Sequence, residues 1–138
     1  MKEERNEESI VRRNTKQRAL VLGIVRKHSN HPTAEEIYTE VRECDSHVSR
    51  GTVYRNLKEL SRTGEVNHIK VPGADRYDLR TDYHYHIMCV HCLSVVDVPL
   101  LYESTLDTSA GKATGYSVYR HRTVFEGVCP ECRKKGLK

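Results

Sequence analysis

The sequence predicts an α+β fold in two parts: three helices and a β-hairpin over residues 1–80, and a smaller α/β half over residues 81–138. Three observations predict it. In three segments before residue 62, apolar residues recur every three or four positions, as on a packed helix face. A Pro-Gly turn then joins two short strand-like segments. All four cysteines that occur in C-x-x-C pairs lie in the second half.

The composition is that of a small globular protein with a basic surface. The chain has 138 residues, of which 37% are hydrophobic and 30% charged, and its net charge is +4. No segment approaches the about 18 apolar residues of a membrane span. The first residues, MKEERNEES, lack the apolar stretch of a secretory signal, so we expect a cytoplasmic protein. From Arg12 to Lys27 there are six basic residues and no acidic one, which indicates either a phosphate-binding surface or a solvated helix face.

The first predicted helix runs from about Thr15 to Lys27, after a ragged or marginal helical start over residues 1–10. Its apolar face carries Leu20, Ile24 and Val25. The sequence His-Ser-Asn-His-Pro at 28–32 ends this helix, because these residues favour a turn. Most of the basic run therefore belongs to one helix.

Capping signals start the next two helices. Residues 33–36 form a capping box, in which the Thr33 hydroxyl caps the helix and the Glu36 side chain reaches back. The inward face of this second helix carries Ile37, Tyr38 and Val41. The third helix opens at Ser49 and ends before Gly64. Its core stripe is Val53, Leu57 and Leu60.

Two strands follow, over residues 65–71 and 76–79, with the turn Pro-Gly-Ala-Asp at 72–75 between them. Three helices followed by a β-hairpin make a winged helix-turn-helix. In helix-turn-helix proteins the recognition helix lies in the major groove of DNA. We therefore expect the third helix to contact DNA; the alternative is an ordinary charged surface helix.

The polar face of the third helix offers side chains for both kinds of DNA contact. Arg55 can donate two hydrogen bonds to a guanine edge, and Tyr54 can contact a thymine methyl group. Other side chains suit phosphates, because hydroxyl and ammonium groups donate to phosphate oxygens. The predicted phosphate contacts are Lys16, Arg18, Ser49, Thr52 and Lys58.

The second half reads as two strands around a cysteine knuckle, a helix and a last strand. The strand–knuckle–strand segment covers residues 86–98. The helix is predicted over residues 99–112, with Leu100, Leu101 and Leu106. The last strand is predicted over residues 116–128, from alternation at Tyr116, Val118 and Arg120.

The paired cysteines predict one structural Zn²⁺, because zinc takes four thiolates in a tetrahedral site and leaves no open position for catalysis. The ligands are Cys89, Cys92, Cys129 and Cys132. The 36 residues between the pairs mean that zinc would tie two distant strand ends together in a half with little core. Two separate redox motifs are the alternative, but the thioredoxin-like βαβ pattern is missing. We expect Cys44 to be no ligand.

Spacing alone indicates a second site only at His84 and His86, whose side chains lie on one face of a strand. The alternative is that they are two ordinary surface histidines. Nitrogen and oxygen ligands suit Fe²⁺, Mn²⁺ or Zn²⁺. A zinc enzyme that uses this pair with Asp97 is one alternative, but no H-E-x-x-H or H-x-E spacing supplies a general base. A zinc-stapled protein-interaction module is another, which the basic run and the polar third helix disfavour.

Six segments, in order over nearly the whole chain, resemble the ferric uptake regulator (Fur) family. They are RNTKQR at 13–18, HPTA at 31–34, GTVYRNL at 51–57, YDL at 77–79, HYHIMC at 84–89 and CPEC at 129–132. The resemblance implies a transcriptional repressor, not an enzyme, that forms a homodimer. It also implies an N-terminal winged helix-turn-helix and a small α/β zinc-stapled dimerisation domain. Metal at the hinge would then fit the two DNA-binding domains to a palindromic operator in double-stranded DNA.

Within this family the chain is most similar to the peroxide-sensing branch, since Asp97 stands where iron-sensing members usually have glutamate. The resemblance implies a regulatory Fe²⁺ or Mn²⁺ held by His31, Asp78, His84, His86 and Asp97. It also implies that peroxide oxidises His31 or His84. A Fur-type sensor of iron, manganese or zinc supply is the runner-up. A further metal site at His121 is disfavoured by the arginines on either side of it.

Overall fold

The computed structural model describes residues 2–28 and 30–138, with side chains from residue 7 onward, and it divides into two compact units. Unit 1 is Met1–Thr81 and unit 2 is Asp82–Lys138. Ser29 of the predicted helix break and the first residue of the predicted ragged start lie outside the described residues. Among the described residues, no helix is long and apolar enough to cross a membrane.

Unit 1 begins with a helix that is longer than predicted. Helix α1 spans Lys2–Lys27, so the prediction that a regular helix starts only near Thr15 was wrong. Residues 7–16 are exposed, so packing does not hold this part of the helix. Charged side chains with good helix propensity stabilise these turns instead, and Arg12 pairs with Glu8, one turn earlier, at 3.1 Å. Apolar periodicity marks only the packed end of α1, which is why it missed the exposed turns.

Helices α2 (Ala34–Cys44) and α3 (Arg50–Arg62) begin at the predicted caps. The Thr33 hydroxyl accepts from Glu36 N at 3.1 Å, and Thr33 N donates to the Glu36 carboxylate at 3.3 Å, which confirms the capping box. The Ser49 hydroxyl accepts from Thr52 N at 3.2 Å. One core joins the three helices, and it includes Val21, Ile24, Val25, Ile37, Val41, Val53, Leu57 and Leu60.

A short hairpin completes unit 1. Strands β1 (Asn67–Ile69) and β2 (Arg76–Asp78) pair antiparallel, so the predicted hairpin is confirmed with shorter strands than expected. The Asp75 carboxylate closes the turn, because it lies 2.8 Å from His68 Nε2 and accepts from Val71 N at 3.4 Å. Unit 1 is therefore three helices with a β-hairpin, the predicted winged helix-turn-helix arrangement.

Unit 2 is built on a three-stranded sheet in the order β4-β3-β5. Strand β3 (Tyr85–Cys89) is central and pairs antiparallel with β4 (Val95–Val98) and parallel with β5 (Val124–Gly127). The hairpin of β3 and β4 confirms the predicted strand–knuckle–strand segment. Helix α4 (Ser104–Thr114) connects β4 to β5, and the short helix α5 (Pro130–Lys134) follows β5.

Three details of unit 2 differ from the sequence predictions. Helix α4 starts at Ser104 and not at residue 99, and Leu101, which was expected within the helix, precedes it and is 93% exposed. The last strand covers only Val124–Gly127, while Tyr116 and Tyr119 are 76% and 86% exposed. Alternation marks the two faces of a segment, but a strand also needs a hydrogen-bonding partner. Helix α5 was not predicted, because five residues are too few to show a period.

Candidate metal centres and nucleic-acid interface

The four paired cysteines of unit 2 come together in space. One Sγ atom from each lies within 4.8 Å of the others, as the sequence predicted. Cys89 ends β3, and its parallel partner on β5 is Gly127, so the chain that leaves β5 reaches Cys129 beside it. The parallel pairing of β3 and β5 therefore explains how two C-x-x-C pairs that are far apart in sequence meet.

The spacing of the sulfurs fits a tetrahedral zinc ion. Cys92 Sγ and Cys129 Sγ lie 3.7 Å apart, and all five cysteines are free of disulfides. Zinc–sulfur bonds of about 2.3 Å place neighbouring sulfurs of a tetrahedron about 3.8 Å apart. A disulfide would need about 2.05 Å. The residues present therefore fit a four-thiolate zinc site.

Backbone amides prepare this cluster for thiolates. The N–H groups of Cys129 and Cys92 donate to Cys89 Sγ and lower the pKa of the Cys89 thiol to about 5. The hydrogen bond with Cys129, together with burial, raises the pKa of Cys132 to about 12. The Cys89 thiol therefore loses its proton easily, whereas the neighbouring sulfurs oppose ionisation of the Cys132 thiol. A divalent cation offsets the repulsion that four thiolates would otherwise have.

A second ligand group in unit 2 lies on the hairpin of β3 and β4. His86 is directly opposite Asp97 in the strand register, and His84 lies two residues earlier on the same face. Asp97 Oδ1 is 3.1 Å from His84 Nε2 and 3.2 Å from His86 Nε2. The side chains of both histidines are buried, at 2% and 6% exposure. Two imidazoles and one carboxylate therefore converge on a small volume.

The orientation of His84 suits a metal ligand. Its Nδ1 atom lies 2.7 Å from the carbonyl oxygen of Asp82. A carbonyl can only accept, so Nδ1 carries the proton, and in the neutral ring Nε2 is the atom with a lone pair. Metal-binding histidines usually donate their other ring N–H in this way, which fixes both the tautomer and the ring plane.

The two remaining predicted ligands lie together in unit 1, where His31 Nε2 is 3.3 Å from Asp78 Oδ2. The segment before α2 runs along β2, because Tyr77 N donates to Pro32 O at 2.9 Å and the Arg76 guanidinium donates to His31 O at 3.0 Å. This pairing places His31 beside the end of β2. The buried His31 side chain is only 6% exposed.

The predicted base-reading residues lie on the exposed face of α3. Tyr54 is 43% exposed, and Arg55 and Lys58 are exposed as well. Arg55 donates to the Thr52 hydroxyl at 3.2 Å, while Ser49 is the N-cap of the helix and its hydroxyl accepts from Thr52 N. Hydroxyls and free N–H groups at a helix N-terminus suit a phosphate. The exposed face of α3 therefore carries basic side chains, together with N-terminal hydroxyl groups that suit an anion.

The two predicted phosphate contacts on α1 differ from each other. Lys16 is exposed, whereas Arg18 forms an ion pair with Glu65. A hydrogen bond from the Thr63 hydroxyl, and then the one from Arg18, lowers the pKa of Glu65. A phosphate would therefore compete with this carboxylate for Arg18.

A groove of about 580 Å³ runs between α1 and α3 and adds residues that the sequence analysis missed. Asn14 and Gln17 line it from α1, opposite Asn56 and Arg62 of α3. A prediction that α1 continues before Thr15 could have found Asn14 and Gln17, because a longer α1 places these two side-chain amides one helical turn apart. The groove extends the polar face of α3 along its neighbour.

Comparison with known proteins identifies the family. Residues 10–126 match the model of the ferric uptake regulator family. The peroxide-responsive repressor PerR of Staphylococcus epidermidis is 32% identical over 127 residues, which are 91% of this chain and 84% of that protein. Among solved structures, the Helicobacter pylori ferric uptake regulator Fur matches with a TM-score of 0.74 and 26% identity, over 94% of this chain and 91% of that one.

The Campylobacter jejuni peroxide stress regulator matches with a TM-score of 0.73 and 26% identity, over 93% of this chain and 97% of that one. The family match spans both units, and it agrees with the cysteine cluster, the histidine-containing clusters and the polar third helix described above. The chain therefore belongs to the ferric uptake regulator family, whose members are DNA-binding, metal-responsive transcriptional regulators and not enzymes.

Proposed function

We propose that the chain is a cytoplasmic, homodimeric repressor that senses hydrogen peroxide through a regulatory metal. The observation that carries the proposal is the convergence of His84 Nε2 and His86 Nε2 on one oxygen of Asp97, at 3.1 and 3.2 Å. These donors contain no sulfur, so they suit Fe²⁺ or Mn²⁺ better than a soft metal. The similarity to a peroxide-responsive repressor over most of the chain supports the same assignment.

The regulatory ion would be held by ligands from both units. Unit 1 contributes His31 and Asp78, and unit 2 contributes His84, His86 and Asp97. An ion that binds better when both sets are engaged favours the arrangements in which they meet, and it favours nothing if one set is lost. The metal would thereby select one pose of the DNA-binding units for a palindromic operator.

Peroxide would act on the ligands themselves. Bound iron would supply the one-electron chemistry that cleaves the peroxide O–O bond, and it would return to the ferrous state over the whole reaction, so the imidazole is the two-electron reductant. The imidazole of His31 or His84 then gains one oxygen atom and becomes 2-oxo-histidine, while the peroxide is reduced to water. An oxidised imidazole is a poor ligand, so the two units lose their shared ion and the operator is released. Manganese does not activate peroxide in this way, so manganese-loaded protein would remain bound to DNA.

The other predicted residues have supporting roles in this proposal. The four paired cysteines hold a structural Zn²⁺ that stabilises unit 2 and thereby the dimer. Tyr54 and Arg55 read bases, and the phosphate contacts are Lys16, Arg18, Ser49, Thr52 and Lys58. Support comes from the sulfur spacing of 3.7 Å and from the exposure of the α3 face.

Release of DNA after peroxide tests the proposal. Fluorescence anisotropy of a labelled operator is followed with iron-loaded and with manganese-loaded protein, before and after one equivalent of peroxide. We expect release only from the iron-loaded protein, and no recovery after a thiol reductant, since 2-oxo-histidine is not reduced by thiols. Release from both forms, or recovery with reductant, would contradict histidine oxidation.

A Fur-type sensor of iron, manganese or zinc supply is the second candidate. The same nitrogen and oxygen ligands would serve it, and the H. pylori regulator shares the fold at 26% identity. In that case DNA affinity would follow the free metal concentration, and peroxide at one equivalent would leave the complex intact. The same anisotropy experiment therefore separates the two candidates.

A further inference from the structure

A chain of hydrogen bonds starts at Tyr85, the first residue of β3, which lies between His84 and His86 in the sequence. Side chains alternate along a strand, so the Tyr85 ring lies on the opposite face from His84 and His86. The residue is buried, at 6% exposure. Its hydroxyl lies 2.8 Å from His121 Nε2, and His121 Nδ1 lies 2.7 Å from Asp107 Oδ1. Neither the metal clusters nor the DNA-facing helix uses these three residues.

The donors and acceptors of these hydrogen bonds can be assigned in only one way. Asp107 accepts from the Tyr102 hydroxyl, and that bond together with the one from His121 lowers the pKa of Asp107. A carboxylate only accepts, so His121 Nδ1 donates and the Nε2 atom of the neutral ring is an acceptor. The Tyr85 hydroxyl therefore donates to His121 Nε2, while its oxygen accepts from Glu103 N at 2.8 Å.

The surroundings hold His121 in this position. The Tyr102 ring stacks on the imidazole, with centroids 4.5 Å apart and planes 20° apart. The Tyr102 hydroxyl also accepts from His121 N at 3.0 Å. Both ring nitrogens of His121 are thus engaged by Tyr85 and Asp107, so a cation would have to displace one of these bonds. The network fits proton transfer better than metal binding at His121.

A buried tyrosine with a hydrogen-bonded base is the arrangement that eases one-electron oxidation. A phenol that loses an electron becomes a strong acid, so the electron leaves readily only if the proton has an acceptor in place. A positioned base removes the need to deliver that proton to bulk water. His121 is such a base for Tyr85, and Asp107 stabilises the imidazolium that results.

We propose that Tyr85 is a redox-active tyrosine. It gives one electron to a peroxide-derived one-electron oxidant, and its phenolic proton passes to His121 Nε2. The products are a neutral tyrosyl radical, an imidazolium paired with the Asp107 carboxylate, and the oxidant reduced by one electron. The inference rests on the proposed function only for the source of that oxidant, which would arise beside His84 and His86, the sequence neighbours of Tyr85.

The test uses full-length protein that carries structural zinc but neither iron nor peroxide. A photogenerated ruthenium(III) polypyridyl complex serves as the one-electron oxidant, and samples are frozen at increasing times for high-field electron paramagnetic resonance. We expect an early tyrosyl radical with the signature of a hydrogen bond to its oxygen, and a slower rate in D₂O. Both features should be absent from Tyr85→Phe and unchanged in Tyr119→Phe, a residue that is 86% exposed.

His121→Gln separates a proton acceptor from a structural contact. Glutamine can still accept a hydrogen bond, but it is a far weaker base, so formation of the early radical should slow by roughly a hundredfold, the low end of what a positioned base contributes. Zinc content and the urea midpoint check that each variant is folded. Asp107→Asn is a second variant, and it should slow the reaction less because His121 remains.

Two outcomes would overturn the inference. One is an early hydrogen-bonded radical that persists in Tyr85→Phe. The other is a folded His121→Gln protein with an unchanged rate and D₂O effect. Neither sample contains iron or peroxide, so these results do not depend on whether iron-loaded protein gains oxygen at His31 or His84. Failure of this inference and failure of the proposed function are therefore read from different samples.

Discussion

The two candidate metal centres differ in how the chain assembles their ligands. The four cysteine sulfurs all belong to unit 2 and lie within 4.8 Å of each other, at the end of β3, in the turn between β3 and β4, and at α5. The proposed histidine and aspartate ligands are divided, with two in unit 1 and three in unit 2. A site inside one unit can only stabilise that unit. A site whose ligands are divided can control how the units are arranged.

The donor atoms of the two centres also differ, and they too favour a permanent ion in one centre and an exchangeable ion in the other. Four thiolates give zinc a closed shell with no position for a further ligand. Nitrogen and carboxylate donors are harder, exchange more readily and accept several first-row metals. The cysteine cluster is therefore suited to permanent occupancy, and the divided set to a metal that changes with cellular conditions.

Removal of a zinc ligand should give the largest effect. Structural zinc contributes an apparent binding free energy of about 10–16 kcal/mol in small domains, as much as the about 5–15 kcal/mol that holds a whole domain together. We expect Cys89→Ser and Cys132→Ser to lose zinc, unfold unit 2 and lose the dimer. Metal analysis, circular dichroism and sedimentation measure this. The control is Cys44→Ser, since Cys44 is exposed in unit 1. A folded, zinc-free dimer of either variant would show that the fold of unit 2 does not depend on zinc at this cluster.

Removal of one ligand from the divided set should leave the fold intact and abolish regulation by metal. In the wild type we expect Mn²⁺ to change operator affinity by about 5–150-fold, the usual range for coupled sites. His31→Ala should lose this dependence while zinc content and the dimer remain unchanged. The matched control is His47→Ala, an exposed histidine of the same unit. If His31→Ala kept the full manganese response, ligands from unit 2 alone would suffice and the contrast between the two centres would fail.

Loss of a contact to a DNA base should weaken DNA binding and leave both metal centres unaffected. Arg55→Ala is expected to cost roughly 1–3 kcal/mol of operator affinity and to relax specificity at one base pair. Lys16→Ala should instead weaken binding to every sequence and flatten the salt dependence by about one phosphate. Manganese affinity without DNA should be the same in both variants. Unchanged operator affinity in Arg55→Ala would move the recognition surface away from α3.

The smallest expected effect concerns the ion pair of Arg18 and Glu65. Glu65→Gln should release Arg18 for a phosphate and slightly tighten binding to all DNA, with a steeper salt dependence. Exposed ion pairs contribute little to folding, so the free energy of unfolding should change little. Because the pKa of Glu65 is lowered below 4.5 in the fold, its contribution is present above pH 4.5 and is lost as the pH falls further. Glu43→Gln, an exposed carboxylate on α2, is the charge-matched control. Equal tightening in both variants would mean that net charge, and not Arg18, is responsible.

Local signals in the sequence predicted most of unit 1 and the composition of the cysteine cluster. Thr33 and Ser49 fix the starts of two helices through bonds to residues three positions away, and such bonds are readable from the sequence. The paired cysteines are readable for the same reason. The exposed start of α1 was missed because its stability comes from propensity and ion pairs such as Arg12 with Glu8.

Long-range arrangement was beyond the sequence. Tyr85 and His121 are 36 residues apart, and the parallel pairing of β3 with β5 helps to bring the second near the first. The pairing of His86 with Asp97 is an intermediate case, because the register of a hairpin follows from its turn. The segment from Tyr116 to Arg120 shows the opposite error, since its alternation suggested a strand that the described chain leaves unpaired.

Mass spectrometry of the histidine peptides tests the central claim most directly. Iron-loaded and manganese-loaded proteins receive the same small dose of peroxide, and the digested peptides containing His31 and His84 are compared. The account predicts a gain of one oxygen atom on one of these histidines, in the iron-loaded protein alone. Oxidation confined to the cysteines, or no modification in a protein whose DNA binding still responds to metal supply, would contradict it.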